Sequence, residues 1–268
     1  MRHLRETLHP ARVDRFSAVA RRYRTLRDLD RATVRYVCGL VAEGRKPGSA
    51  LRVLEVGSGT GRYIEAVIET ATAEAGLVCQ GVACDASRFM VSSGRTRDMS
   101  LDRVVALAEA LPFRDGSFDA LLSFNAVHHF QLDAFLAAAV RVLRPGGLLL
   151  VYTRTPEQNA RTVWGRFFPG FAERETRLHG EQRLWAALAR YPQFPVARLE
   201  QRPWRMRKTL RRLMEQAHGR CYSTFDFYTP AEFLAALRSF QSRIMLAYPD
   251  PFNITVRNDH LLLIAPRV

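Results

Sequence analysis

The sequence predicts an α/β protein: a parallel sheet with helices on both faces, interrupted late by a helical insertion. Three observations predict it. Between residues 51 and 152 short aliphatic runs alternate with segments of helical periodicity. The first run, 51–56, ends in glycines at alternate positions, Gly57, Gly59 and Gly61, directly ahead of a helical stretch. After Thr153 the alternation stops, and prolines and two helical stripes replace it. A chain of 268 residues is long enough for one such domain with insertions.

Each element has its own signal. Residues 1–48 read as an N-terminal helical cap, because Val13, Phe16, Val19, Ala20 and Tyr23 recur at helical spacing. GRKPGS, 44–49, is a turn-rich linker. The sheet core occupies 49–153: strand 51–56, a helix near 60–73, strand 78–84, a helix near 87–97, and a short strand 104–107. Asp115-Gly116 turns the chain into strand 118–124. Leu132, Phe135, Leu136, Ala139, Val140 and Leu143 mark a helix, which Pro145-Gly146-Gly147 ends before strand 148–152. The insertion, 154–228, carries Leu184, Trp185 and Leu188 on one helix and Leu210, Leu213, Met214 and Ala217 on a second. Residues 229–268 return to the sheet. Thr229-Pro230-Ala231-Glu232 is a capping box with proline at the first helical position, and Phe233, Leu237 and Phe240 are the buried face. Two strands, near 243–247 and 260–265, close the chain.

Composition narrows the class. No apolar run reaches the length of a membrane span, and the N-terminus lacks a signal-peptide core, so a cytoplasmic protein is expected. Cys38, Cys79, Cys84 and Cys221 have no metal spacing and no CxxC, so they are read as reduced and structural, with no metal. The net charge is +14, and nearly all of it is arginine, since Lys46 and Lys208 are the only lysines. Such a chain attracts polyanions at ordinary salt. The plainer reading is a solvated basic surface.

Ligands of parallel sheets bind beyond the carboxyl ends of the strands. There the sequence places Glu55 and the glycines, then Asp85, then AEALPF (108–113), then NAVHHF (125–130). The glycine spacing lacks the longer second gap of the dinucleotide fingerprint, and none of these strand ends presents a lysine to cradle a triphosphate. A carboxylate at Asp85 can accept hydrogen bonds from two ribose hydroxyls, each worth about 1.5–3 kcal/mol, and it repels phosphate. Glu55 favours a positively charged ligand. S-adenosylmethionine has these properties. The plain alternatives are a tight turn for the glycines, a helix cap for Asp85 and a solvated loop charge for Glu109.

On LEVGSGTGR (54–62), GVACDAS (81–87), AEALPFRDGSFD (108–119), NAVHHF (125–130) and VLRPGGLLL (142–150), the sequence resembles the class I S-adenosylmethionine-dependent methyltransferases. It is most similar to the small-molecule subgroup that includes the ubiquinone and menaquinone C-methyltransferases. The resemblance covers about 50–153 and hardly touches the insertion. It implies a Rossmann-like seven-stranded sheet. It also implies that Gly57, Ser58, Gly59 and Gly61 approach the methionine part of the cofactor, and that Glu55 steers that loop. By the same resemblance Asp85 holds the ribose, Ala86 and Met90 pack on the adenine, and the Asn125 carbonyl meets the amino group. The family's acidic residue before the Ala-Glu pair is Leu107 here, so adenine recognition passes to Ala108 or Glu109.

Methyl transfer from a sulfonium needs mainly alignment, worth about 7–11 kcal/mol. If the acceptor must lose a proton, His128 and His129 are the candidate bases, because histidine titrates near neutrality. Helix capping or packing is the alternative. Tyr23 resembles the tyrosine that such enzymes place over the site; core packing is its alternative. The insertion is expected to form a lid. Its aromatic residues (Trp164, Phe167, Phe168, Phe171, Trp185, Trp204) are read mostly as core, with some lining an apolar acceptor pocket. Arg154, Arg161, Arg166 and Arg174 are read as solvent-facing, with an acidic acceptor as the alternative. The leading acceptor is a small organic metabolite. An RNA methyltransferase using the basic cluster RPWRMRKTLRR (202–212) is the alternative. No RNA-binding module and no Asn/Asp-Pro-Pro-aromatic tetrapeptide support it. A non-catalytic cofactor-binding protein is the third possibility.

Overall fold

The computed structural model describes residues 19–94 and 100–268. Val13 and Phe16, and the end of the helix expected near 87–97, lie outside the described residues. Residues 19–26 are helical, followed by α1 (Arg31–Ala42). The core then runs β1 (Ala50–Val56), α2 (Arg62–Ala75), β2 (Val78–Asp85), α3 (Arg88–Ser92), β3 (Leu101–Val105), β4 (Phe118–Phe124), α4 (Leu132–Val142) and β5 (Leu143–Thr153). The insertion carries α5 (Pro156–Arg161), α6 (Val163–Phe167), α7 (Phe171–Arg174), α8 (Glu181–Leu188), β6 (Arg198–Gln201), β7 (Trp204–Lys208) and α9 (Leu210–His218). The chain closes with α10 (Pro230–Ala247), β8 (Ile254–Asn258) and β9 (Leu261–Pro266).

The main sheet has seven strands in the order β3-β2-β1-β4-β5-β9-β6. β1 to β5 run parallel, and β9 is antiparallel to both β5 and β6. The central strands are apolar on both faces, as helices on both sides require. Leu54 and Val56 of β1 pack with Phe135 and Leu136 of α4 and with Leu184 of α8. Leu51 and Val53 pack on the other face with Val37 of α1 and Ile64 and Val67 of α2.

Several expected elements change. The strand expected at 243–247 is the end of α10, because Phe233, Leu237, Phe240 and Ile244 form one continuous buried helical stripe. The capping box that starts that helix is present in both directions between Thr229 and Glu232. The real partner strand, β8, lies later and pairs with β7 as a separate two-stranded sheet. The third strand begins earlier than 104–107, at Leu101. Pro145-Gly146-Gly147 sits inside β5, with a register irregularity against β4. The span expected to be a helical insertion also holds two strands, and one of them, β6, is the outer strand of the main sheet.

The insertion has its own core. Trp164, Phe168, Phe171 and Phe225 pack with Phe233 and Phe240 of α10. The Trp164 and Phe240 rings stack at 5.0 Å. Leu26 joins this cluster and ties the helical segment 19–26 to the insertion. No helix among the described residues is long and apolar enough to cross a membrane.

Candidate active site

The parallel strands end in one cavity of about 570 Å³. Every residue the sequence nominated lines it except Gly61. The glycine loop is built by backbone conformation. Gly57, Gly59 and Gly61 all have left-handed φ, +70°, +57° and +78°, which side chains disfavour. A Cβ on Gly57 would collide with Ala126 and stand 2.8 Å from Phe130 Cζ. Gly61 caps α2 rather than facing the cavity. Arg24 Nη1 and Arg103 Nη1 each donate to Thr60 O at 3.2 Å and so hold the loop from behind.

Two carboxylates fix the loop from within. Glu55 is buried, and its Oε2 accepts from Ile64 N at 3.0 Å at the start of α2. Burial pushes its pKa up to about 8. Asp85 Oδ2 accepts from Gly59 N at 2.8 Å, and Oδ1 accepts from Ser87 N at 2.8 Å. Burial raises the pKa of Asp85 as well, against those two donors. The cap of α3 is Ser87, whose side chain accepts from Met90 N, so Asp85 is free of that role. Glu109 is not merely solvated: its Oε1 accepts from Gln131 N at 2.7 Å, joining the loops after β3 and β4. Ala86, Met90 and Ala108 also line the cavity, and Met90 and Ala108 are buried.

Asn125, at the end of β4, adopts φ +54°, one of two positive-φ non-glycine residues among those described. Asparagine tolerates that region better than most side chains. The two histidines follow in a short 3-10 turn, Val127–His129, with ring centroids 4.2 Å apart. His128 does not titrate near neutrality. Burial, and then the Arg177 charge, lower its pKa to about 3, so it is neutral at physiological pH. Its Nδ1 is buried without a hydrogen-bond partner. His129 Nδ1 lies 3.4 Å from Arg177 Nη1. A guanidinium only donates, so Nδ1 is the accepting nitrogen there.

Tyr23 lines the cavity from the N-terminal helical segment, and its ring edge stands 3.9 Å from where a Cβ on Gly59 would lie. Arg62 of α2 donates to the carbonyls of Arg27 and Asp28 at 3.1 and 2.6 Å, which seats that segment over the loop. A smaller chamber of about 70 Å³ adjoins, sharing Tyr23, Arg27, Asn125, His128 and His129 with the large cavity. Polar side chains reach into it, and the insertion supplies Asn159, Glu175 and Thr224. The apolar acceptor pocket expected from the insertion's aromatic residues is not found there: Trp164, Phe168 and Phe171 are core. Arg154 is not solvent-facing either; it is buried, and its Nη2 donates to His260 Nε2 at 2.8 Å.

Arg27, Arg177 and Asn159 were missed. No local motif marks Arg177 or Asn159, since tertiary packing alone delivers them. Arg27 had a usable signal: it follows Tyr23 by four residues, the spacing that shares a helix face. Among the described residues no group of three or more His, Cys, Asp or Glu side chains is placed to hold a metal ion.

Residues 54–151 match the family profile described as a methyltransferase domain. A demethylmenaquinone methyltransferase of Beutenbergia cavernae is 39% identical over 167 residues, 58% of this chain and 64% of that protein. Mouse probable tRNA methyltransferase 9B is 33% identical over 123 residues, 44% of this chain and 25% of that protein. Both matches span less than two thirds of the relative's own length. The crystal structure of a candidate methyltransferase from an antibiotic biosynthesis pathway of Anabaena variabilis shares the fold. Its TM-score is 0.68 at 19% identity, over 90% of this chain and 98% of that one. The segment that builds the glycine loop, Asp85 and the strand-end cavity is the one that matches the methyltransferase domain, residues 54–151.

Proposed function

We propose that the protein is an S-adenosylmethionine-dependent methyltransferase acting on a small organic acceptor. The observation that carries this reading is the left-handed glycine loop bound through Gly59 N to Asp85, at a cavity of about 570 Å³ beyond the strand ends. That volume falls in the range of small-molecule sites, about 300–1,000 Å³. The residues fit the cofactor: Asp85 retains lone pairs for ribose hydroxyls, and Met90 and Ala86 offer an apolar wall, while Glu55, kept mostly protonated by burial, anchors the start of α2 instead of supplying the counter-charge expected from the sequence. When bound, the cofactor supplies an activated methyl group on a positively charged sulfur.

The chain's own residues then orient the acceptor and exclude water. Tyr23 and Arg27 close the cavity from the N-terminal segment, and the insertion closes the inner chamber. A proton released by the acceptor goes to His129 in preference to His128, because a pKa of about 3 makes His128 a weak base. The relatives named above are a demethylmenaquinone methyltransferase and a probable tRNA methyltransferase. No residue of 202–212 lines either cavity, which favours the small molecule. Four free, buried cysteines agree with a reducing, cytoplasmic setting.

The test is transfer of labelled methyl from S-adenosylmethionine into a deproteinised extract of the source organism, split into RNA and organic-soluble fractions. Label in the organic fraction is the expected result. Ribonuclease-sensitive label would replace the small acceptor by RNA. Tight cofactor binding with no label anywhere would point to a non-catalytic binding protein.

A further inference from the structure

The inner chamber is more cationic than its contents explain. Arg27 lies with its guanidinium carbon 4.1 Å from the Tyr222 ring centroid, and among the described residues its side chain has no hydrogen-bonding partner. Arg154 is 8% exposed, and the only described partner of its guanidinium is a histidine, His260. Burial and the neighbouring Arg154 charge hold His260 well below its usual pKa, so this partner is neutral. Glu175 is the one acid lining the chamber, and it is already committed. It accepts from Arg177 Nη2 at 2.5 Å and from Thr224 Oγ1 at 2.6 Å. Asn159, only 3% exposed, lines the same chamber with its Nδ2 unpartnered.

A buried guanidinium without a counter-charge loses its hydration with nothing to offset it, and a buried amide N–H without an acceptor does the same. All of these groups are donors, so what they lack is an acceptor with negative charge. The volume, about 70 Å³, is several times the roughly 10–15 Å³ that one water needs, and suits a group of a few heavy atoms. We infer that the methyl acceptor carries a carboxylate, which enters this chamber and is bound by Arg27, Arg154 and the Asn159 amide. The inference rests on the methyltransferase reading and names its substrate class. Guanidinium groups match a carboxylate's two oxygens with paired N–H donors. The Glu175 carboxylate in the same wall disfavours a dianionic phosphate. A neutral acceptor would leave both arginines uncompensated.

The experiment is thermal unfolding and calorimetry of the full chain saturated with S-adenosylhomocysteine, titrated with benzoate and with benzamide, its neutral counterpart. Sodium chloride holds ionic strength constant, and inorganic phosphate is run in parallel. Benzoate should bind at least tenfold more tightly than benzamide and raise the unfolding midpoint in a saturable way. Arg154→Gln and Arg27→Gln should each abolish that preference, whereas Arg211→Gln, on an exposed side chain paired with Glu215, should keep it. If one chamber variant no longer binds S-adenosylhomocysteine, the other decides. Equal binding of the two probes, absence of benzoate binding, or a preference that survives both chamber variants overturns the inference while the methyltransferase reading stands. A response to phosphate alone overturns the carboxylate. Failure of the wild-type chain to bind S-adenosylhomocysteine would overturn the cofactor reading itself.

Discussion

Asp85 holds two backbone donors with one carboxylate. It accepts from Gly59 N and Ser87 N, and it lines the cavity, where its proposed role is to hold the cofactor's ribose. Asp85→Ala therefore removes ligand contacts and strands two backbone donors together. Cofactor affinity should fall by about 1.5–3 kcal/mol in calorimetry, with a separate loss of fold stability of about 1–3 kcal/mol. Asp85→Asn keeps one oxygen acceptor and should lose affinity with a smaller loss of stability. Glu55 gives a pH dependence. Its folded pKa is about 8, above the ordinary 4.5. The folded state thus keeps a proton that the unfolded chain releases. The stability it contributes is complete below about pH 4.5 and is lost as pH rises through about 8. Within that window wild type should weaken relative to Glu55→Gln by up to about 1.4 kcal/mol per pH unit. Urea unfolding of the two proteins at pH 5, 6.5 and 8 measures this; parallel curves would remove the assignment.

Among the elements, the β1–α2 turn is the most constrained. Gly57 and Gly59 share left-handed backbone, but their surroundings differ. A Cβ on Gly57 strikes Ala126 and Phe130, whereas one on Gly59 meets only the Tyr23 ring at 3.9 Å. Gly59→Ala should cost about 1–2 kcal/mol of backbone strain and leave the fold intact. Gly57→Ala adds the collision and should destabilise more, with a lower unfolding midpoint than Gly59→Ala and lost cofactor binding. This turn was legible in the sequence because glycine spacing reports φ directly. The 243–247 segment was not. Arg243 to Ala247 is short enough to suit either a strand or the last turn of a helix. The packing of Ile244 beneath Phe240 decides for the helix.

In the whole molecule, α8 and β6 of the insertion belong to the sheet and its core, whereas α6, α7, α9 and α10 enclose a second core. Trp164→Ala should cost about 3–5 kcal/mol, the usual range for a buried tryptophan, and the loss should be confined mostly to the insertion. Hydrogen exchange should then quicken in 163–171 and 210–247 while β1, β2 and β6 stay protected and S-adenosylhomocysteine still binds. Methyl transfer should drop, because the insertion supplies the walls of the inner chamber. Equal loss of protection across sheet and insertion would show instead that the two cores unfold as one.

The parallel core, the glycine loop and the acidic strand ends could all be read along the chain. Those features follow from local rules: periodicity sets the element, glycine permits the backbone, and strand ends collect ligand groups. The arginine-lined inner chamber, the buried Arg154 and the weak basicity of His128 arise from packing alone. Each of these depends on what packs around a side chain from distant segments. Arg27, Asn125, Arg154 and Cys221 meet in one wall, and desolvation there sets the charge that no spacing in the chain encodes.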